Sequence, residues 1–186
     1  MSNKFITIGL SVLAVIAVIV IGIFIVQGSQ NKAISYEEQI STAQSDINVQ
    51  EKRRGDLIPN LVDCVKEYDK HEYETLMAVI EARQSNGGNM SDADVNEIQS
   101  MISVVAEAYP ELKSNSNYQQ LMTELSTTEN LIATYRSNYN KCVKDYNQYV
   151  RKFPARLFLS MSGYEVLDFE YLEYETSHDA PTNLFG

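Results

Sequence analysis

His71 and Glu72 adjoin as they do at the start of the helical zinc-protease motif, where two histidines four residues apart face one metal and a glutamate activates its water. Position 75, where the second histidine would stand, is Thr75, and the other histidine, His178, lies in the tail. A catalytic zinc would lack ligands, so the pair reads as a helix-surface feature. Neither histidine has a local motif that would activate a serine or cysteine nucleophile. Cys64 and Cys142 are the only cysteines and fall on apolar helical positions. They read as reduced core thiols, with a disulfide between helices as the alternative in an oxidising compartment. No glycine-rich phosphate loop is present, and carboxylate pairs are expected wherever 25 acidic residues face 15 basic ones. The expectation is a chain with no catalytic, metal or cofactor site and no cofactor: not an enzyme.

Five polar residues carry more information: Arg53, Arg54, Asp56, Glu129 and Asn130. Arg54 falls on an apolar stripe, where a lone guanidinium is costly. Its expected partner is Glu129, beside Thr128 on a facing stripe, in a pairing that fixes helix register more than it adds stability. A ligand site is the alternative. Tyr118, Tyr135, Tyr139, Tyr146 and Tyr149 share one helical face, and each hydroxyl needs a partner if buried. Either their tips reach the edge of an ordinary core, or part of the face meets another chain.

The elements that position these groups are helices throughout, an all-α class. From Ala33 to Tyr68 apolar residues recur at steps of three and four, with Pro59 interrupting and Gly55 one turn earlier. A proline removes one helical hydrogen bond and clashes with the carbonyl four residues before it, so a kink or break is expected near Leu57 to Asn60. A second helix then runs to about Gln84, closed by the loop 85–89. Ser91 starts another, with Asp92 and Asp94 in its first turn. The clearest pattern, from Tyr118 to Phe153, predicts one helix of about 37 residues. Ala155 to Ser162 fit a short apolar turn of helix, with Leu157, Phe158, Leu159 and Met161, stopped by Gly163. The acidic, tyrosine-rich tail from Tyr164 fits a strand, an extended segment laid on the bundle, or disorder.

Ahead of all this, Phe5 to Val26 holds no charge in 22 positions, about 33 Å of helix against a hydrocarbon core of about 30 Å. It is longer than a signal-peptide core of about 7–15 residues and lacks a good cleavage site, so it reads as a retained anchor in the lipid bilayer. Lys4 before it and Lys32 after it nearly tie under the positive-inside rule, leaving the side of the domain open. Residues 27–186 carry 25 acidic and 14 basic side chains, a net −11. Such a surface repels phosphate backbones and anionic headgroups, which excludes nucleic acid and argues against an electrostatic membrane footprint. The organisation is therefore a short tail (1–4), a transmembrane helix (5–26), a helical domain (27–163) and a C-terminal tail (164–186).

The run Val49-Gln50-Glu51-Lys52-Arg53-Arg54-Gly55-Asp56-Leu57-Ile58-Pro59-Asn60-Leu61-Val62 is followed by Val65-Lys66, His71-Glu72, Ala108-Tyr109-Pro110-Glu111-Leu112-Lys113, Thr128-Glu129-Asn130, Tyr139-Asn140, Tyr146-Asn147 and Phe153-Pro154. In this order they resemble the LemA family of bacterial membrane proteins. The resemblance implies one membrane span followed by an antiparallel bundle of three to four long helices, in the bacterial cytoplasmic membrane. It implies no known catalytic activity and, as partners, other envelope proteins, membrane proteases among them. The chain departs from the family in lacking a Trp at the start of the domain and in its acidic tail. The expected function is a non-enzymatic interaction scaffold, a homo-oligomer in the envelope. The alternatives are a regulator of a membrane protease and a membrane-shaping assembly.

Overall fold

The computed structural model describes residues 2–84 and 90–173, and among them the chain is helical with no strand. Six helices follow in order: α1 (Ser2–Val65), α2 (Lys70–Gln84), α3 (Asp92–Ala108), α4 (Pro110–Ser114), α5 (Ser116–Arg151) and α6 (Ala155–Met161).

Helix α1 runs through the expected break. Pro59 sits inside it and the helix ends only at Val65. The cost of an interior proline is about 3 kcal/mol. Leu57, Ile58, Leu61 and Val62 flank it and are all buried, at about 1.5–3 kcal/mol each. Packing therefore outweighs the lost bond. The chain turns instead at residues 66–69, where Asp69 Oδ1 accepts the backbone N–H groups of His71 and Glu72 and so caps α2. Helix α3 starts as expected. Ser91 is its N-cap, its hydroxyl accepting the Asp94 N–H, while the Asp94 carboxylate returns to the Ser91 N–H in a capping box.

The chain divides into two compact units. One unit is residues 43–137, with the C-terminal part of α1, helices α2 to α4 and the first part of α5. Its core gathers Ile58, Leu61, Val62, Leu76, Ile98, Ile102, Leu112 and Leu125, all within 1% of full burial. Arg83 bridges Asp94 at 3.2 Å and Glu97 at 2.9 Å, so the facing ends of α2 and α3 are tied directly to each other.

The other unit holds residues 1–42 and 138–186. Within it Tyr149 contacts Ser29 and Tyr146 contacts Glu37, so α1 and α5 run antiparallel there. From Ile8 to Ile25 the apolar side chains of α1 stand exposed, Leu10 at 69% and Phe24 at 73%. A soluble core helix would bury them. This segment is long and apolar enough to cross a membrane. Ser11 Oγ donates to the Ile8 carbonyl at 2.9 Å, the internal satisfaction that lipid requires of a hydroxyl. Two turns after Val26, Ala33 is fully buried, in the same unbroken helix. Helix α6 ends in a Schellman turn: Gly163 has φ 67°, its N–H reaches the Ser160 carbonyl, and the Tyr164 N–H reaches the Leu159 carbonyl. Residues 164–173 then follow without helix or strand, laid against α5 at Leu167 and Leu172; the remainder of the tail and the expected loop 85–89 lie outside the described residues.

Candidate functional site

Arg54 does not meet Glu129. The guanidinium, 7% exposed, gives Nη1 to Asp92 Oδ1 at 2.7 Å, and Glu129 Oε1 instead accepts the Gln99 amide at 2.7 Å. The expected pairing is thus corrected. Asp92 stands at the first residue of α3, where a carboxylate also faces the helix's unpaired N–H groups. It accepts a second arginine as well: Arg136 Nη1 reaches Asp92 Oδ2 at 2.6 Å, and Arg136 Nη2 reaches Glu51 Oε1 at 2.8 Å. The result is a four-membered chain, Arg54–Asp92–Arg136–Glu51, with zero net charge, linking α1, α3 and α5 within one unit.

Its electrostatics follow from this arrangement. Burial pushes the Asp92 carboxyl up, but hydrogen bonds from Arg136 and Arg54 outweigh that and hold it below the usual carboxylate range. The bonds to Asp92 and then Glu51 raise the Arg136 guanidinium above its ordinary value, against burial. The ion pairs tie three helices to one another.

The other three residues expected to pair are dispersed. Arg53 binds Glu124 at the surface, with Nη2 at 2.5 Å and both side chains a third or more exposed. Asp56 and Asn130 are exposed, and their described contacts are backbone carbonyls accepting from Asn60 and Thr134 one turn on in their own helices. Arg136, Asp92 and Glu51 lay outside the expected set. A signal for Arg136 existed: it continues Thr128 and Ile132 at steps of four, so it shares their face.

Three of the five stripe tyrosines are buried: Tyr118 at 6%, Tyr139 at 8% and Tyr146 at 0% exposed. The Tyr146 hydroxyl donates to Glu37 at 3.0 Å and accepts the Leu167 N–H at 3.0 Å, and Phe169 meets its ring edge-on at 5.2 Å. Tyr164 also donates to Glu37. Burial first, then the neighbouring Glu37, pushes the Tyr146 and Tyr164 phenols up. Asn140 completes the hold on the tail, its amide giving and taking one hydrogen bond with the Leu172 backbone, both 2.8 Å. Tyr146 and Tyr164 thus spend their hydroxyls inside the chain. Tyr135 and Tyr149 are half-buried, and Tyr149 donates to the Ser29 carbonyl at 3.0 Å.

A cleft of about 390 Å³ lies in the larger unit, lined by Met101, Val104, Val105, Asp69 and Tyr109 among others. The Tyr109 hydroxyl donates to Asp69 at 2.6 Å, which chiefly lowers that carboxyl. His71 adjoins α2's cap and not a second histidine. Among the described residues no group of three His, Cys, Asp or Glu could hold a metal ion. Cys64 and Cys142 are free and half-buried, and the Cys64 thiol is pushed up by burial and by Asp63 and Glu67.

A profile of the LemA family matches residues 43–185. Protein LemA of Metamycoplasma hominis is 29% identical over 150 residues, covering 73% of this chain and 67% of that protein. The magnetosome proteins MamQ 2 and MamQ 1 of Paramagnetospirillum magneticum are each 32% identical over 77 residues, 41% of this chain. The chain spans 28% of those two proteins' length.

Proposed function

This chain belongs to the LemA family, and from that premise we propose that it is a non-enzymatic, membrane-anchored helical scaffold that self-associates in the bacterial envelope. The observation that carries the proposal is the unbroken passage of α1 from an exposed apolar segment into a buried stripe that starts at Ala33. One helix serves as both anchor and bundle element, and such a module works by holding partners beside a membrane. The buried polar groups support the same view. Arg54, Asp92, Arg136 and Glu51 neutralise one another, and Tyr146 and Glu37 hold the chain's own tail, so these groups support structure and not turnover.

Self-association follows from tethering. Anchored copies meet at high effective concentration, so a weak face suffices. Tyr135 and the exposed Val49 are available for it. Light scattering of the full chain in detergent is expected to give a multimer. A strict monomer that copurifies stoichiometrically with a membrane protease would replace scaffolding by adaptor function.

A further inference from the structure

Helix α6 combines three properties that the overall acidity of the chain conceals. The first is position. Phe158 and Met161 line a cleft together with Ile19, Ile23 and Val26 of α1. Ile19 lies about 10 Å along the helix axis before Val26, so α6 sits alongside the last turns of the apolar segment and not beyond it.

The second is an apolar face that no other described residue covers. Ala155 and Leu159 are buried at 7% and 1%, yet Phe153 is 82%, Leu157 50% and Met161 69% exposed. The third is charge. Between Asp145 and Glu165 no acidic residue occurs, while Arg151, Lys152 and Arg156 are all exposed. On the α1 side no acidic residue precedes Glu37. In a chain of net charge −10, this end is uniformly basic or neutral.

We propose that α6 is a membrane-interface element. Phe153, Leu157 and Met161 enter the boundary between headgroups and acyl chains of the bilayer that holds the span, and Arg151, Lys152 and Arg156 pair with anionic lipid phosphates. Interfacial helices bury their apolar face about 5–10 Å into that boundary, the depth at which α6 meets α1. Long basic side chains reach headgroups from such a depth by extending their stems along apolar surface. A protein partner would have to reach this face at the depth of lipid. The turn at Gly163 then directs the chain away from α6, and Tyr164 binds Glu37. The proposal rests on the membrane anchor and is independent of self-association.

The chain has no tryptophan, so F153W introduces a single tryptophan, excited selectively over the tyrosines, at the exposed tip. The full-length variant is reconstituted into phosphatidylcholine vesicles, with and without added phosphatidylglycerol, and V104W on α3 serves as the aqueous control. The expected result for F153W is blue-shifted emission, quenching by lipids brominated high on the acyl chain, and protection from acrylamide. R151Q/K152Q/R156Q in the F153W background is expected to abolish the added shift seen with phosphatidylglycerol. Emission and acrylamide quenching equal to those of V104W, in protein that floats with its vesicles, would overturn the proposal. An unchanged phosphatidylglycerol response in the triple variant would overturn the headgroup pairing. Failure to float would remove the anchor itself, and with it the proposal.

Discussion

Asp92 is one carboxylate serving two guanidiniums, and the two sides of its pairings are not equivalent. Arg54 is 7% exposed and has Asp92 as its ion-pair partner, whereas Asp92 is 40% exposed and keeps Arg136 if Arg54 is lost. Asp92→Asn therefore leaves a buried guanidinium uncompensated and is expected to cost about 3 kcal/mol, whereas Arg54→Met should stay within about 1 kcal/mol. Thermal melts by circular dichroism in detergent distinguish them; equal losses would show that the pair acts symmetrically. The same residue contributes to the acid response. A depressed folded pKa contributes stability that is present above the unfolded value of about 3.9 and is lost as pH falls through the folded one. The melting temperature should be flat from about pH 7 to 5 and drop below about pH 4, with a shallower acid limb in Asp92→Asn. Arg54 itself was legible in the sequence because a cation on an apolar stripe demands a partner. Which carboxylate would answer was not legible, because Asp92 and Glu129 both lie opposite the stripe and only packing shows that Gln99 engages Glu129.

Helix boundaries were legible where local chemistry decides them. Ser91 and Asp94 form the reciprocal cap that starts α3, and Gly163 supplies the positive φ that ends α6. Pro59 misled because its penalty is local while its compensation, the burial of Leu57, Ile58, Leu61 and Val62, comes from other helices. Asp69 was missed, although a capping side chain three residues before Glu72 is a recognisable start signal. The continuity of α1 yields a prediction at Gly55. A Cβ built there meets nothing within 4 Å, and glycine costs a helix interior about 1 kcal/mol relative to alanine. Gly55→Ala should raise stability by about that amount in the same melts. A loss instead would mean that close packing at this turn requires glycine.

For the whole molecule, the long apolar N-terminal helix and the all-helical class were legible from one uncharged run and the three–four stripes, while the grip on the tail was not. Asn140 and Tyr146 carry no mark distinguishing them from other stripe residues until the tail lies across them. Net charge was similarly incomplete, because −10 averages over an end of the chain that carries Arg151, Lys152 and Arg156 without an acid between Asp145 and Glu165. The Arg83 bridge has a practical consequence at this scale. Arg83 holds Asp94 and Glu97, and Asp92 is held by two arginines, so both borders of residues 85–89 are fixed by contacts outside that segment. Lengthening a loop whose ends are already held is inexpensive, about 0.6 kcal/mol per doubling. A protease-cleavable epitope inserted between Gly87 and Gly88 is expected to leave the melt within about 1 kcal/mol of the parent. That junction is then a permissive port for a topology reporter: its cleavage in intact cells places the domain outside, and its protection places it within.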